Sequence, residues 1–234
     1  MTHYRMTDDQ KRAAAAKALE FVHAGMSLGL GNGSTAEFFL LELGARVRQG
    51  LTIQATATSE RTQVLAQELG IPILPLDVLG APDITVDGAD EVDQELRLIK
   101  GGGTALLREK MVATASKHMI VIADWKKHVE TLGAFPLPVE ISTLAPQTTI
   151  RLIAKAVTDA GCRGNQVELR GGEHPIVTDQ GNFVVDVRCE LIPNTQKLAR
   201  SLSNITGVVA HGLFIGLCQT LILGHSHGLE IVMR

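Results

Sequence analysis

Four short segments of the chain place glycines, carboxylates or lysines where buried strands are predicted to end. They are residues 29–37, 87–93, 100–103 and 124–128. In a parallel α/β sheet the ligand crevice lies outside the carboxyl ends of the strands, so chemistry is expected at these segments. Together they offer backbone amides for an anion, carboxylates for proton transfer and ammonium groups for a phosphate.

The first segment is a glycine-rich turn before a predicted helix, Gly-Leu-Gly-Asn-Gly-Ser-Thr-Ala-Glu. Glycines allow a tight turn, and the helix N-terminus presents N–H groups and a positive dipole end to an anion. Ser34 and Glu37 also have capping-box spacing, so a simple capped helix is the alternative. The G-x-G-x-x-A dinucleotide pattern is matched too, but residues 54–59 contain no acid to hold a ribose. Phosphate binding therefore remains the general expectation.

The second segment, residues 87–93, carries four carboxylates in the sequence Asp-Gly-Ala-Asp-Glu-Val-Asp. A calcium loop is excluded because Ala89 and Val92 occupy its third and sixth positions and no glutamate stands at the twelfth. An acidic, solvated turn is one interpretation. The other is that these carboxylates accept hydrogen bonds from a polyhydroxylated ligand or exchange protons with it.

The third segment, Lys100 followed by three glycines, is either a flexible connector or a place of close backbone approach. It precedes a predicted helix that carries Glu109. At helical spacing Glu109 shares a stripe with Leu106, Val112 and Ala113, so its carboxyl is expected to face inward. Desolvation raises the pKa of an inward carboxyl and suits it to act as a general base.

Three further patterns have weaker chemical interpretations. Glu109 alone is also compatible with a surface ion pair to Arg108 or Lys110. In the fourth segment, residues 124–128, a lysine either complements a phosphate or lies in a polar loop. His225 and His227 have no third ligand nearby in the sequence, so a solvated hairpin turn is favoured over a metal site.

Composition narrows the class of protein. The 234 residues are 45% hydrophobic, with a net charge of −3 and no Lys/Arg cluster, which excludes a disordered chain and argues against a nucleic-acid partner. Three widely spaced cysteines indicate neither a disulfide framework nor a zinc site, and a cytoplasmic protein with reduced thiols is expected. Residues 201–229 lack Lys, Arg, Asp and Glu, but histidines and glycines interrupt them, so strands rather than a membrane span are predicted.

The elements that must position these segments alternate along the first part of the chain. A capping box at Thr7–Gln10 begins a helix that is predicted to stop at Gly25. Strands are then predicted at residues 27–30, 52–55, 71–74, 84–86 and 119–123, and helices at 35–47, 60–69 and 105–116. This alternation is typical of parallel strands with helices on the faces of the sheet, a Rossmann-like layer.

The pattern changes after Phe135-Pro136-Leu137-Pro138. The predicted order is a strand at 139–141, a helix at 148–159, a strand at 167–169, a hairpin at 176–185, a helix at 194–202 and strands from Val208. This β-α-β-β-α-β order predicts an inserted ferredoxin-like α+β domain. The fold class is therefore α/β, with residues 1–131 and 208–234 in the catalytic domain and 132–207 in the small one.

Five motifs, in this order and spacing, resemble the type A ribose-5-phosphate isomerase family over nearly the whole chain. They are Gly31-Asn32-Gly33-Ser34-Thr35, Asp87-Gly88-Ala89-Asp90-Glu91, Lys100-Gly101-Gly102-Gly103, Leu107-Arg108-Glu109-Lys110 and Phe135-Pro136-Leu137-Pro138-Val139-Glu140. The resemblance implies interconversion of ribose 5-phosphate and ribulose 5-phosphate in the pentose phosphate pathway. It also implies a cytoplasmic oligomer, usually a homodimer, that needs no cofactor or metal. Binding to nucleic acid or membrane is not expected from the composition described above.

The resemblance further implies that Glu109 abstracts the proton. From the chemistry of aldose–ketose isomerisation, our hypothesis is that Asp87, Asp90 and Lys100 handle ring opening and the substrate oxygens. Substrate contacts are expected at Asn32, Gly33, Ser34, Thr35, Asp87, Gly88, Ala89, Asp90, Lys100, Gly101, Gly102, Gly103 and Lys127. The family usually has Thr at the position of Asn32, and Lys126 is a rival to Lys127 for the phosphate.

Three alternatives remain at this point. A non-catalytic sugar-phosphate-binding regulatory domain would keep the glycine turn without needing Glu109. A CoA transferase would use a glutamate as a nucleophile and form a glutamyl thioester. A nicotinamide enzyme would bind NAD.

Overall fold

The computed structural model describes residues 7–234, which divide into two compact units. The first unit contains residues up to Ala89, with Arg108–His128 and Gly216–Arg234; the second contains Asp90–Leu107 and Val129–Ile215. The helices are α1 (Asp8–Leu19), α2 (Ser34–Arg48), α3 (Glu60–Glu68), α4 (Leu76–Leu79), α5 (Leu106–Ala115), α6 (Pro146–Asp159) and α7 (Thr195–Ser203).

The strands are β1 (Ser27–Leu30), β2 (Gln54–Ala57), β3 (Ile84–Asp87), β4 (Glu91–Asp93), β5 (Leu98–Ile99), β6 (Met119–Asp124), β7 (His128–Val129), β8 (Leu137–Ile141), β9 (Gln166–Leu169), β10 (Phe183–Arg188), β11 (Val208–His211), β12 (Leu213–Phe214), β13 (Thr220–His225) and β14 (Gly228–Met233). A short 3₁₀ turn covers Trp125–Lys127.

The first unit is built on a six-stranded sheet of order β14-β13-β6-β3-β1-β2. All its neighbouring strands pair in parallel except β14, which is antiparallel to β13. The predicted Rossmann-like layer is therefore confirmed. The chain goes from β1 outward to β2 and then crosses back over β1 to β3, so the strand order reverses between β1 and β3. Ligands of open α/β sheets bind beside the carboxyl ends of strands at such a reversal.

The local signals at α1 are confirmed at its start. Thr7 and Gln10 form the reciprocal capping box, which pairs N–H groups that a helix start leaves without intrahelical partners. The helix ends at Leu19, earlier than predicted from Gly25. The N–H groups of Phe21 and Val22 donate to carbonyls three residues earlier, which makes tighter turns than those of an α-helix. Its buried alanines belong to the core that covers the large sheet.

The second unit contains the predicted ferredoxin-like fold, with strand order β11-β8-β10-β9 and antiparallel pairing throughout. Its own core includes Val139, Ile153 and Leu198 from a strand and two helices. The predicted hairpin at 176–185 is reduced to one bridge between Val177 and Phe183, because the N–H of Ile176 donates instead to the carbonyl of Arg170. Likewise, residues 71–74 make only the bridge from Ile73 to Ala55.

The division of the chain differs from the expected boundaries at 131/132 and 207/208. Val208–His211 form the fourth strand of the small sheet, because β11 pairs with β8. Residues 90–107 also group with the second unit. These boundaries depend on long-range pairing, which residue types alone do not specify.

Candidate active site

The glycine-rich turn after β1 leads into α2 without a side-chain cap. Gly33 is the N-cap residue with φ +109°, and Ser34 is already the first helical residue, so the alternative of a Ser34–Glu37 capping box is wrong. The Glu37 carboxylate pairs with Arg61 instead. The first-turn N–H groups of α2 therefore receive no side-chain cap, which is the arrangement that binds anions.

The carboxylate of Asp87, at the end of β3, holds the turn that follows β1. Its Oδ1 accepts the N–H of Asn32 at 3.0 Å and the N–H of Gly88 at 2.7 Å. Asp87 is fully buried. The segments after β1 and β3 are thus joined at the point where the sheet order reverses, as their predicted strand ends require.

Lys127 lies against the same segment. It is half-buried, and its Nζ donates to the carbonyl of Ala89 at 2.5 Å. Lys126 is exposed, with its Nζ 5.9 Å from the ring centre of Trp125. Lys126 and Lys127 are adjacent in the 3₁₀ turn that begins after Asp124, and their side chains point in different directions.

Glu109 lies in the first turn of α5 and is 4% exposed. The predicted stripe is confirmed, because Leu106, Val112 and Ala113 are buried as well. The alternative of a solvent-exposed surface ion pair is wrong for this residue. Burial also lowers the pKa of the neighbouring Lys110 to about 7, so the start of α5 lies in a poorly solvated environment.

The acidic segment is not a solvated turn: Asp87, Glu91 and Asp93 are buried and Asp90 is half-buried. Asp93 accepts the side chain of Arg97 at 2.6 Å. Glu91 accepts the N–H groups of Gly133 and Phe135 at 2.7 and 2.5 Å, although burial still raises its pKa. All four carboxylates therefore accept hydrogen bonds from the protein. Glu91 and Asp93 bind groups outside the predicted substrate-binding residues, a difference that sequence spacing did not reveal.

In the second unit, residues 100–103 form a closely packed turn. Lys100 is 2% exposed; its N–H donates to Gly212, and its Nζ lies 5.6 Å from the ring centre of Phe214. The N–H of Gly102 donates to Oδ2 of Asp90 at 2.9 Å. A methyl group on Gly101 would lie 2.7 Å from Cβ of Leu106. The prediction of close backbone approach is confirmed at Gly101, whereas Gly102 and Gly103 are exposed.

The structure therefore brings the predicted residues together in two groups. The first unit joins the Gly31–Thr35 turn with Asp87, Gly88, Ala89 and Lys127, and it also contains Glu109. The second unit joins Asp90 with Lys100, Gly101, Gly102 and Gly103.

Residues 7–234 contain neither a clustered metal-binding site nor a membrane-spanning helix. No group of three or more metal-ligating His, Cys, Asp or Glu side chains occurs in that range. His225 instead stacks on Trp125 with ring centres 5.8 Å apart and bonds Glu230. Over the same range, every helix is too short or too polar to cross a membrane.

Comparison with known proteins identifies close relatives. A family model described as ribose 5-phosphate isomerase A (phosphoriboisomerase A) matches residues 54–228. Ribose-5-phosphate isomerase A of Parvibaculum lavamentivorans is 53% identical over 96% of this chain and 98% of its own length. The protein of that name from Rhodopseudomonas palustris is 52% identical over 97% and 98%. A solved D-ribose-5-phosphate isomerase in complex with phospho-erythronic acid superimposes with TM-score 0.89 and 34% identity over 97% of this chain and 99% of its own.

Proposed function

The chain belongs to the ribose 5-phosphate isomerase A family and interconverts ribose 5-phosphate and ribulose 5-phosphate, and from this premise we propose which residues carry out the reaction. The alternative of a non-catalytic sugar-phosphate-binding domain is not favoured, because the relatives are named as isomerases. The observation that supports the assignment best is the burial of the Glu109 carboxyl at the start of α5.

Aldose–ketose isomerisation moves a proton between C2 and C1 through an enediolate. Glu109 takes the proton from C2 of the open-chain aldose, and the same carboxyl group then returns it to C1. One carboxyl can do both because it is protonated by the first step. The burial of Glu109 keeps bulk water away from this carboxyl during both transfers.

The charge that develops on O1 and O2 needs positive or hydrogen-bonding partners that are already in place. We assign this role to Lys100 and to the amides of Gly101 and Gly103, since the Gly102 N–H is already donated to Asp90. Asp87 and Asp90 accept hydrogen bonds from the sugar hydroxyls and exchange protons during ring opening. Both carboxylates are held in position by main-chain N–H groups.

The phosphate is assigned to the start of α2. The first-turn amides, the Ser34 and Thr35 hydroxyls and the positive end of the helix dipole suit a dianion. Lys127 supplies the countercharge, and its bond to Ala89 keeps it close to the Asp87 segment.

The test of this proposal is Glu109→Gln, which keeps the shape of the side chain and removes the base. We expect turnover to fall by roughly 10²–10⁴-fold while the Kd of phospho-erythronic acid, measured by calorimetry, changes little. Glu68→Gln, on the exposed end of α3, is the matched control and should behave as the parent. Near-normal turnover in Glu109→Gln would refute the assignment.

The proposed chemistry uses no metal ion or cofactor. The parent enzyme is therefore expected to form ketose from ribose 5-phosphate at the same rate with and without EDTA and with no added NAD. A loss of turnover that is restored by one divalent cation would contradict this part of the proposal.

We also propose a cytoplasmic homodimer. Edge strand β14 supports self-association, because Leu229, Ile231 and Met233 alternate along it and are all exposed. A charge at the centre of this row, Ile231→Glu, should reduce the mass measured by light scattering from two chains to one. Val78→Glu, at another exposed apolar residue of the first unit, is the control and should leave the mass unchanged. A parent that is already monomeric would reject the dimer.

A further inference from the structure

Arg170 has no part in the reaction proposed above, and its main chain is held by hydrogen bonds on both sides. It follows β9 in the second unit. Its N–H donates to the carbonyl of Val184 at 2.9 Å, and its own carbonyl accepts the N–H of Ile176 at 2.9 Å. The side chain is 15% exposed. It therefore extends from a rigid part of the small sheet.

The guanidinium is oriented by Asp186, on the neighbouring strand β10. Nε donates to Oδ2 at 2.9 Å, and Nη2 donates to Oδ1 at 2.5 Å. Two parallel bonds of this kind fix the plane of the guanidinium as well as its position. They occupy one edge of the group and direct Nη1 away from the carboxylate.

Nη1 donates to two carbonyls of the turn at residues 100–103, that of Gly101 at 3.2 Å and that of Gly102 at 3.1 Å. Arg170 is 69 and 68 residues away from them in sequence. Hydrogen bonds from a charged donor are stronger than those between neutral groups, so this contact is expected to restrain both peptide planes.

The direction of these carbonyls determines where the neighbouring amides point. In a trans peptide the C=O and the next N–H lie on opposite sides. The Gly101–Gly102 peptide is held from both sides, with its carbonyl on Arg170 and its N–H on Asp90. By the same geometry, the Gly102 carbonyl on Arg170 turns the N–H of Gly103 away from the guanidinium.

We propose that Arg170, held by Asp186, is a positioning residue of the isomerase that aims the glycine amides and the Asp90 carboxylate at the oxygens of the substrate. The proposal rests on the role in substrate binding assigned above to Asp90 and residues 100–103. Donors that stabilise developing charge are effective only when they are oriented in advance. Arg170 supplies that orientation without contacting the substrate itself.

The experiment compares kcat and KM for Arg170→Ala and Arg170→Lys. We expect kcat to fall about 10- to 100-fold in both variants, while KM changes by less than about threefold. Misdirected donors reduce the stabilisation of the transition state more than they reduce the binding of the substrate. Lysine should not restore turnover, since an ammonium cannot form a planar two-point contact with Asp186 and reach both carbonyls. Guanidinium ion at millimolar concentration should raise kcat of Arg170→Ala, whereas urea should not.

Arg188→Ala is the matched control. Arg188 also pairs across β9 and β10, with Glu168 at 3.9 Å, but both side chains are more than half exposed. Its kcat should equal that of the parent. If Arg170→Ala does not fold, Asp186→Asn replaces it, because this change keeps the shape of the partner and should produce the same fall in kcat.

The outcomes separate this inference from the function on which it rests. A folded Arg170→Ala with kcat within twofold of the parent overturns it. The inference is also overturned if kcat falls in proportion to the loss of thermal stability and guanidinium ion does not restore it. Full turnover in Lys100→Met rejects the assigned role of residues 100–103 and this inference with it. Loss of turnover in Lys100→Met but not in the Arg170 variants rejects the inference alone.

Discussion

Gly31 and Asp87 approach so closely that a methyl group on Gly31 would lie 2.3 Å from Oδ1 and 2.5 Å from Cα of the aspartate. Gly31 also donates its N–H to Val86 at 2.9 Å, which holds the two main chains at this distance. The absence of a side chain at residue 31 thus allows the Asp87 carboxylate to reach the turn after β1.

This contact predicts the effect of Gly31→Ala on stability. Because the main chain of Asp87 is one of the obstacles, the clash cannot be relieved by a side-chain rotation alone. We expect the free energy of unfolding in urea to fall by about 1–3 kcal/mol. Gly88→Ala is the comparison, since its methyl group would meet nothing nearer than 3.7 Å, and it should cost less than about 1 kcal/mol. Equal losses in the two variants would contradict the steric explanation.

Asn32→Thr tests whether the side chain at this position matters. Asn32 contacts Asp87 through its main-chain N–H, a donor that every residue except proline has. The change should therefore preserve the contact, and kcat/KM for ribose 5-phosphate is expected to stay within about threefold of the parent. A change greater than tenfold in steady-state assays would show that the amide side chain itself acts on the substrate.

The two adjacent lysines should differ in their effect on substrate binding. Lys127→Met is expected to raise KM about tenfold or more, because it removes a half-buried countercharge to the phosphate. Lys126→Met should change KM less than about twofold, since its ammonium is exposed beside Trp125. The reverse order of effects would assign the phosphate to Lys126.

Asp83 predicts a pH dependence of stability. Hydrogen bonds from Lys117 and from Ser27 lower the pKa of its carboxyl from 3.8 to about 2. The folded state therefore binds this proton less readily than the unfolded state. The resulting stability is fully present above about pH 4 and is lost as the pH falls toward 2.

The corresponding variant is Asp83→Asn, measured by urea unfolding at several pH values. The carboxylate is 31% exposed, so solvent screening reduces the effect, and we expect a loss of about 1 kcal/mol at pH 7 that shrinks below pH 4. Asp77→Asn, on exposed α4, should change the free energy of unfolding by no more than a few tenths of a kcal/mol. A loss in Asp83→Asn that is independent of pH would exclude this linkage.

Local signals determined much of the molecule. The period of apolar residues identified the strand–helix alternation and the inward stripe of Glu109, because side-chain periodicity depends only on backbone geometry. The capping box at Thr7 was recognised for the same reason: its two hydrogen bonds join residues three apart. The positions of the glycine and carboxylate segments after strands also followed from this local information.

Contacts between distant residues required the tertiary structure. Ser34 has the spacing of a cap, yet Gly33 is the N-cap, because the turn is held by Asp87 rather than by its own side chains. The same long-range packing gave Glu91 and Asp93 structural partners, and pairing with β8 placed β11 in the small sheet. Residue types and spacing indicate which groups can do chemistry. Only the packing of segments far apart in the chain decides which carboxylate holds a loop and which arginine directs the peptides of residues 100–103.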